Sequence, residues 1–166
     1  MPAPTPERLR LDGHCLIVLE RTLLAAAPQE GCALLLGTQQ HRTLALQWIW
    51  PCCNQWQPAA ERTRRFQLDP REQLLAQRWS RKRGLTVLGA AHSHPCSAAV
   101  PSATDRELCL GPTLMLIRTG LAQGVEALGA WWIPDSAEHG TASEAPAQAL
   151  TIELHDAAPG AGDLGE

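Results

Sequence analysis

Residues 84–108 read Gly84-LTVLGAAHSHPCSAAVPSATDRE-Leu108. The first half, through His92, is a short apolar run rich in β-branched and small residues, the pattern of a buried strand. On a strand, positions i and i+2 point to the same face, so His92 and His94 aim their imidazoles at one point. A polar, turn-rich stretch from Pro95 to Pro101 follows. Pro101-Ser102-Ala103-Thr104-Asp105 then reads as a helix start, with the helix continuing to Leu110 and ending at Gly111. Strand, turn and helix together can return Asp105 to the two histidines. Two nitrogens and one carboxylate oxygen are the donor set of a catalytic zinc site, in which a fourth position is left for water.

Working outward, Thr86–His92 is one of a series of short strands alternating with helices. Arg8–Leu11 is a first strand, and apolar residues at spacings of three and four predict a helix from Gly13 to Ala27. Glu30–Gly37 is an apolar run typical of a strand buried on both faces. Arg42–Trp50 is expected to pair with it through a turn at Gly37-Thr-Gln-Gln. Arg65–Leu68 reads as a further short strand. Asp69 and Pro70 form an N-cap and first-turn proline for a helix running to Arg83 and stopped by Gly84. Thr113–Ile117, Glu126–Ile133 and the alternating Leu150–Leu154 complete the strands, the last as an edge. Pro134–Gln148 reads as a low-complexity loop. The expectation is α/β: a single-domain mixed β-sheet flanked by helices, spanning residues 8–155, with 156–166 a disordered tail.

Composition narrows the function classes. The chain has 166 residues, 45% apolar and 19% charged, enough for one core without disulfides or extra metals. A net charge of −3 argues against nucleic acid as the main partner. The leading residues lack the apolar core of a secretion signal, and the run 16–36 is broken by Glu20, Arg21 and Pro28, so no membrane span is expected. Six irregularly spaced cysteines without a Cys-x-x-Cys pair point to free thiols and a cytoplasmic location.

Hydrolysis at such a zinc site needs a general base, and a partly buried Glu suits this work. Glu30, at the mouth of an apolar strand, is the candidate. Glu20 and Glu107 are rivals, the first in mid-helix and the second pointing away from Asp105. Ser102 is placed to stabilise an oxyanion, although Ser-x-x-Asp ahead of an apolar run also caps helices. Cys96 is a loop residue with a possible reach to the metal. Trp48, Trp50 and Trp56 are either a platform for an extended peptide or edge-strand packing, and packing is favoured. The basic helix Pro70–Arg83 is read as a solvated face or as a surface for an acidic partner protein. His14, His41, His139 and His155 have no partners at ligand spacing.

The set Glu30, His92-Ser93-His94-Pro95, Ser102 and Asp105 resembles the signature of the JAMM (MPN+) metalloproteases, an upstream Glu followed by H-x-H-P-x6-S-x-x-D. The flanks agree: Pro28-x-Glu-Gly-Cys-x-Leu-Leu-Leu-Gly37, Pro51-x-x-Asn54 and Phe66-x-Leu-Asp-Pro70. The resemblance implies a cytidine-deaminase-like fold and a zinc metallopeptidase or isopeptidase. His92, His94 and Asp105 would hold Zn2+, Glu30 would be the acid/base, and Ser102 would help hold the oxyanion. The chain is similar to the compact prokaryotic members, which implies action at the carboxyl terminus of a ubiquitin-like or sulfur-carrier protein. The alternative is a non-catalytic scaffold of the same fold that binds a ubiquitin-like tail. Other zinc hydrolases fit less well. H-x-E with P-C-x-x-C and H-E-x-x-H are both absent, and an amidohydrolase barrel needs about 250 residues.

Overall fold

The computed structural model describes residues 2–135 and 146–156. Its strands are β1 Arg8–Asp12, β2 Cys32–Gln40, β3 Thr43–Cys52, β4 Thr86–His94, β5 Thr113–Thr119, β6 Leu128–Ile133, β7 Gln148–Ala149 and β8 Thr151–His155. Its helices are α1 Gly13–Leu24, α2 Pro70–Arg81 and α3 Ala103–Leu108. The strands form one mixed sheet in the order β7-β6-β5-β4-β2-β3-β1-β8. β1 runs parallel to both β3 and β8, and β4 runs parallel to β5; the other pairs are antiparallel. This is the α/β class expected from the alternation of elements.

Period-two alternation sorts β2 onto two cores. Ala33 and Leu35 face α1, where Cys15, Leu19 and Leu23 form a buried stripe at four-residue spacing. Leu34 and Leu36 face Ala76 of α2 on the other side. Helix α1 starts where Asp12 accepts the Cys15 N–H at 2.7 Å. It stops at Leu24, three residues short of the expected end, and Ile17 and Leu24 are half exposed. Asp69 caps α2 by accepting the Arg71 N–H at 2.9 Å, with Pro70 in the first turn as expected. Gly84, at φ +67°, turns the chain out of that helix.

Three expectations are corrected. The β2–β3 turn is at His41 and Arg42, since Gln40 already pairs with Thr43. Gly37 lies within the strand, where Ala45 approaches so closely that a Cβ would not fit. Arg65–Leu68 is not a strand, because its backbone bonds go to the side chain of Asn54 and to Gln55 rather than to a neighbouring strand. The 310 turn Ala59–Thr63 and the two-residue β7 were not expected. The tail from 157, the bulk of the Pro134–Gln148 loop and His139 lie outside the described residues.

Two bulges sit at one place in the sheet. Leu35 pairs with Gly89 but Leu36 pairs with Val87, which makes Leu88 an extra residue in β4. Leu36 pairs with Trp48 but Gly37 pairs with Leu46, so Gln47 is extra in β3.

Candidate active site

β4 ends in His92 and His94, both buried, on the face that carries α2. Asp105 reaches them from the first turn of α3. Its Oδ2 lies 3.0 Å from His92 Nε2 and 3.1 Å from His94 Nε2, and the two Nε2 atoms are 3.1 Å apart. Both rings can donate to Asp105 Oδ2, but the close approach of the two ring nitrogens to each other is also what ligation of one ion produces. A tetrahedral ion with bonds of 2.0–2.1 Å spaces its ligands by about 3.3 Å, close to what is seen. The trio could hold a metal ion, and Cys96, exposed in the following turn, is not part of it.

The charges are set for such a site. Burial pushes the Asp105 carboxyl up, but hydrogen bonds from His92, His94 and the Ser102 N–H outweigh this and hold it well below the usual carboxylate range. Burial lowers His92 and keeps its ring neutral. A metal requires a carboxylate and neutral imidazoles. At His94 burial lowers the ring, but bonds to Asp105 and the Ala98 carbonyl outweigh it and raise it, so a metal would displace a proton there. Ring orientation is fixed in two different ways. His94 Nδ1 bonds the Ala98 carbonyl at 2.8 Å, whereas His92 Nδ1 is buried without a partner and Phe66 stacks on that ring at 4.4 Å.

Ser102 is the N-cap of α3. Its Oγ accepts the Asp105 N–H at 3.0 Å, and its own N–H donates to Asp105 Oδ2 at 2.9 Å. The capping and site readings therefore coexist. The serine is exposed, and its hydroxyl proton is not used by the cap.

Glu30 lies just before β2. Cys32 pairs with His92, and one rung further on Gly31 and Ser93 clasp each other. Ser93 N–H donates to the Gly31 carbonyl at 3.0 Å, and Gly31 N–H donates to Ser93 Oγ at 2.8 Å. Glu30 precedes this clasp, and its carboxyl is near enough to His94 and Asp105 to respond to the charge of both. A Cβ on Gly31 would lie 2.5 Å from the Leu23 carbonyl, so only glycine fits between Glu30 and α1. Ser93, Asn54 and Phe66 all hold the site, although their residue types do not mark them as functional in the sequence. The signals were present in the middle residue of H-x-H and in the flanks Pro51-x-x-Asn54 and Phe66-x-Leu.

Burial raises the Glu30 carboxyl to about 7, against a lowering by His94 and a further rise from Asp105. The rivals are elsewhere. Glu20 pairs with Arg118 at 3.6 Å, and Glu107 is exposed. A consequence for stability follows from Glu30. In metal-free protein the unfolded carboxyl ionises above about 4.5 while the folded one stays protonated to about 7, so stability falls as pH rises through that window. The loss is at most about 3 kcal/mol. Urea unfolding at pH 4.5 and pH 8 in the presence of chelator should show this slope in the wild type and a flatter one in Glu30→Gln.

Trp48 and Trp50 pack on α2, whereas Trp56 bonds Glu61 and lies against Arg65. Trp48 and Trp50 lie 5.0 and 5.9 Å from Trp79, and Trp50 Nε1 donates to Glu72 at 2.8 Å. β3 is an interior strand, so this is sheet-on-helix packing and not packing at an edge. All six cysteines are free. Among the described residues no helix is long and apolar enough to cross a membrane.

Residues 15–134 match the family model described as prokaryotic homologs of the JAB domain. A desampylase from Haloferax volcanii is 38% identical over 85 residues, which cover 51% of this chain. The match spans 58% of that relative's length. Among solved structures, a Desulfitobacterium hafniense protein superposes with a TM-score of 0.75 at 27% identity, covering 90% of this chain and 94% of its own. A Salinibacter ruber protein gives 0.59 at 27% identity, covering 87% and 90%.

Proposed function

This chain belongs to the family of prokaryotic homologs of the JAB domain, the JAMM group its signature resembles, and from that membership we propose that it is a zinc-dependent peptidase or isopeptidase. Its substrate is an amide bond at the carboxyl terminus of a ubiquitin-like or sulfur-carrier protein. The likeness to a protein named desampylase supports this substrate class. The observation that carries the reading is a buried His92–His94–Asp105 trio with the buried Glu30 carboxyl beside it.

Zinc at the trio would supply Lewis acidity to a water and to the scissile carbonyl. Glu30 takes a proton from the attacking water, since its carboxyl titrates near neutrality where base and acid forms are both accessible. The water oxygen bonds to the carbonyl carbon. The Ser102 hydroxyl donates its free proton toward the carbonyl oxygen as negative charge gathers there. Glu30 then passes the proton to the departing nitrogen as the C–N bond breaks, which leaves a free carboxylate on the carrier and an amine on the other product.

Mass spectrometry of carrier-protein conjugates before and after exposure to the zinc-loaded protein tests this reading. The expected product is a carrier with a restored carboxyl terminus, absent when chelator is added. A chain that binds the carrier tail and leaves every conjugate intact would instead be the scaffold.

A further inference from the structure

Asn54 lies in the loop after β3, outside the signature residues. Its Nδ2 donates to the Glu30 carbonyl at 3.0 Å and to the Arg65 carbonyl at 2.8 Å. Its Oδ1 accepts the Trp56 N–H at 3.0 Å and the Gln67 N–H at 3.2 Å. Two donors and two lone pairs are all that an Asn amide has, so this side chain is fully committed. The loop closes on the base a second time, where the Glu30 N–H donates to the Arg62 carbonyl at 2.7 Å. Phe66 sits between the two residues that Asn54 holds, and it stacks on His92 with ring planes 19° apart.

That stacking matters because, among the described residues, His92 has no outer hydrogen bond of the kind that usually orients a ligating histidine. The same amide therefore grips the backbone of the base and the backbone on either side of the residue that steadies a ligand ring. We propose that Asn54 is a positioning residue that fixes Glu30 and His92 relative to each other, with the loop 54–67 as the brace between them. The inference rests on the hydrolase reading for its kinetic consequence, whereas its structural consequence is independent of that reading.

Two variants test it. Asn54→Ala removes all four bonds. Asn54→Asp keeps the acceptor oxygens for Trp56 and Gln67 but cannot donate to Glu30 or Arg65, and it serves if the alanine variant fails to fold. The Glu30 N–H is held by the Arg62 carbonyl within the braced loop, so if that loop loosens, amide hydrogen exchange in metal-free protein should show lost protection at Glu30 in both variants. Trp56 and Gln67 should lose it in the alanine variant alone. Zinc affinity by chelator competition should weaken about 10- to 100-fold, the usual range for an outer-shell change. In zinc-loaded protein kcat should fall about 100-fold, as expected for a displaced catalytic group, with KM changed by less than about threefold. Wild-type protection at Glu30 with wild-type zinc affinity in both variants would overturn the proposal. A wild type that hydrolyses nothing would instead overturn the hydrolase reading, while exchange and zinc affinity would still decide the role of Asn54.

Discussion

Glu30→Gln protein should bind zinc as tightly as the wild type and hydrolyse the carrier conjugate about 100 to 10,000 times more slowly. The range is that of a single positioned general base. The substitution is close to isosteric and leaves the three donors untouched. Its backbone bonds to Arg62, Asn54 and, through Gly31, to Ser93 involve no carboxylate oxygen. The unpartnered Glu30 Oε2 becomes an amide in the same space, which removes the proton acceptor and little else. Metal content by atomic emission and single-turnover rates on one conjugate measure both halves of the statement. Full turnover in the variant would move the base to another residue, and a loss of zinc would make Glu30 a ligand.

The second large effect is at Asp105. Asp105→Ala should lower zinc affinity by more than about 100-fold, since an outer-shell change alone costs 10- to 100-fold. Activity should fall with it. The variant also loses a helix cap, so its stability should drop by about 1 kcal/mol. Ser102→Ala separates the two roles because it deletes the cap oxygen and keeps the ligand. Its stability should fall by a similar ~1 kcal/mol with zinc retained, and its kcat should fall about 100- to 1,000-fold through loss of the oxyanion donor. Equal zinc affinity in Asp105→Ala and wild type, read by chelator competition, would remove Asp105 from the ligand set.

The readable part of the site was local. His92 and His94 share a face by strand alternation, and Ser102 with Asp105 forms a capping box at fixed spacing, so a contiguous stretch of sequence specifies three donors. Glu30 is distant in the chain, but an acid at the entrance of an apolar strand is itself an anomaly that sequence exposes. The supports were not readable in the same way. Asn54 and Ser93 act by bonding backbone groups far from them in sequence, and side-chain-to-backbone bonds leave no periodicity. The same cause explains the misread strand at Arg65–Leu68, where an Asn side chain stands in for a neighbouring strand. The misplaced hairpin turn has a different origin. Gly37 is needed for close approach within the sheet, and the residue with positive φ is His41, which carries no turn signal in its type.

The bulge that leaves Leu88 outside the pairing with β2 decides which way both imidazoles face. From Gly89 onward every side chain in β4 is counted from that insertion, and an odd change in the count exchanges the two sides of the strand. Were Leu88 taken into the ladder instead of bulging, the apolar residues would still find apolar company on one side or the other, while His92 and His94 would turn toward α1 and away from Asp105. The orientation of the two histidines is thus a matter of parity, set by the bulge at Leu88 ahead of them.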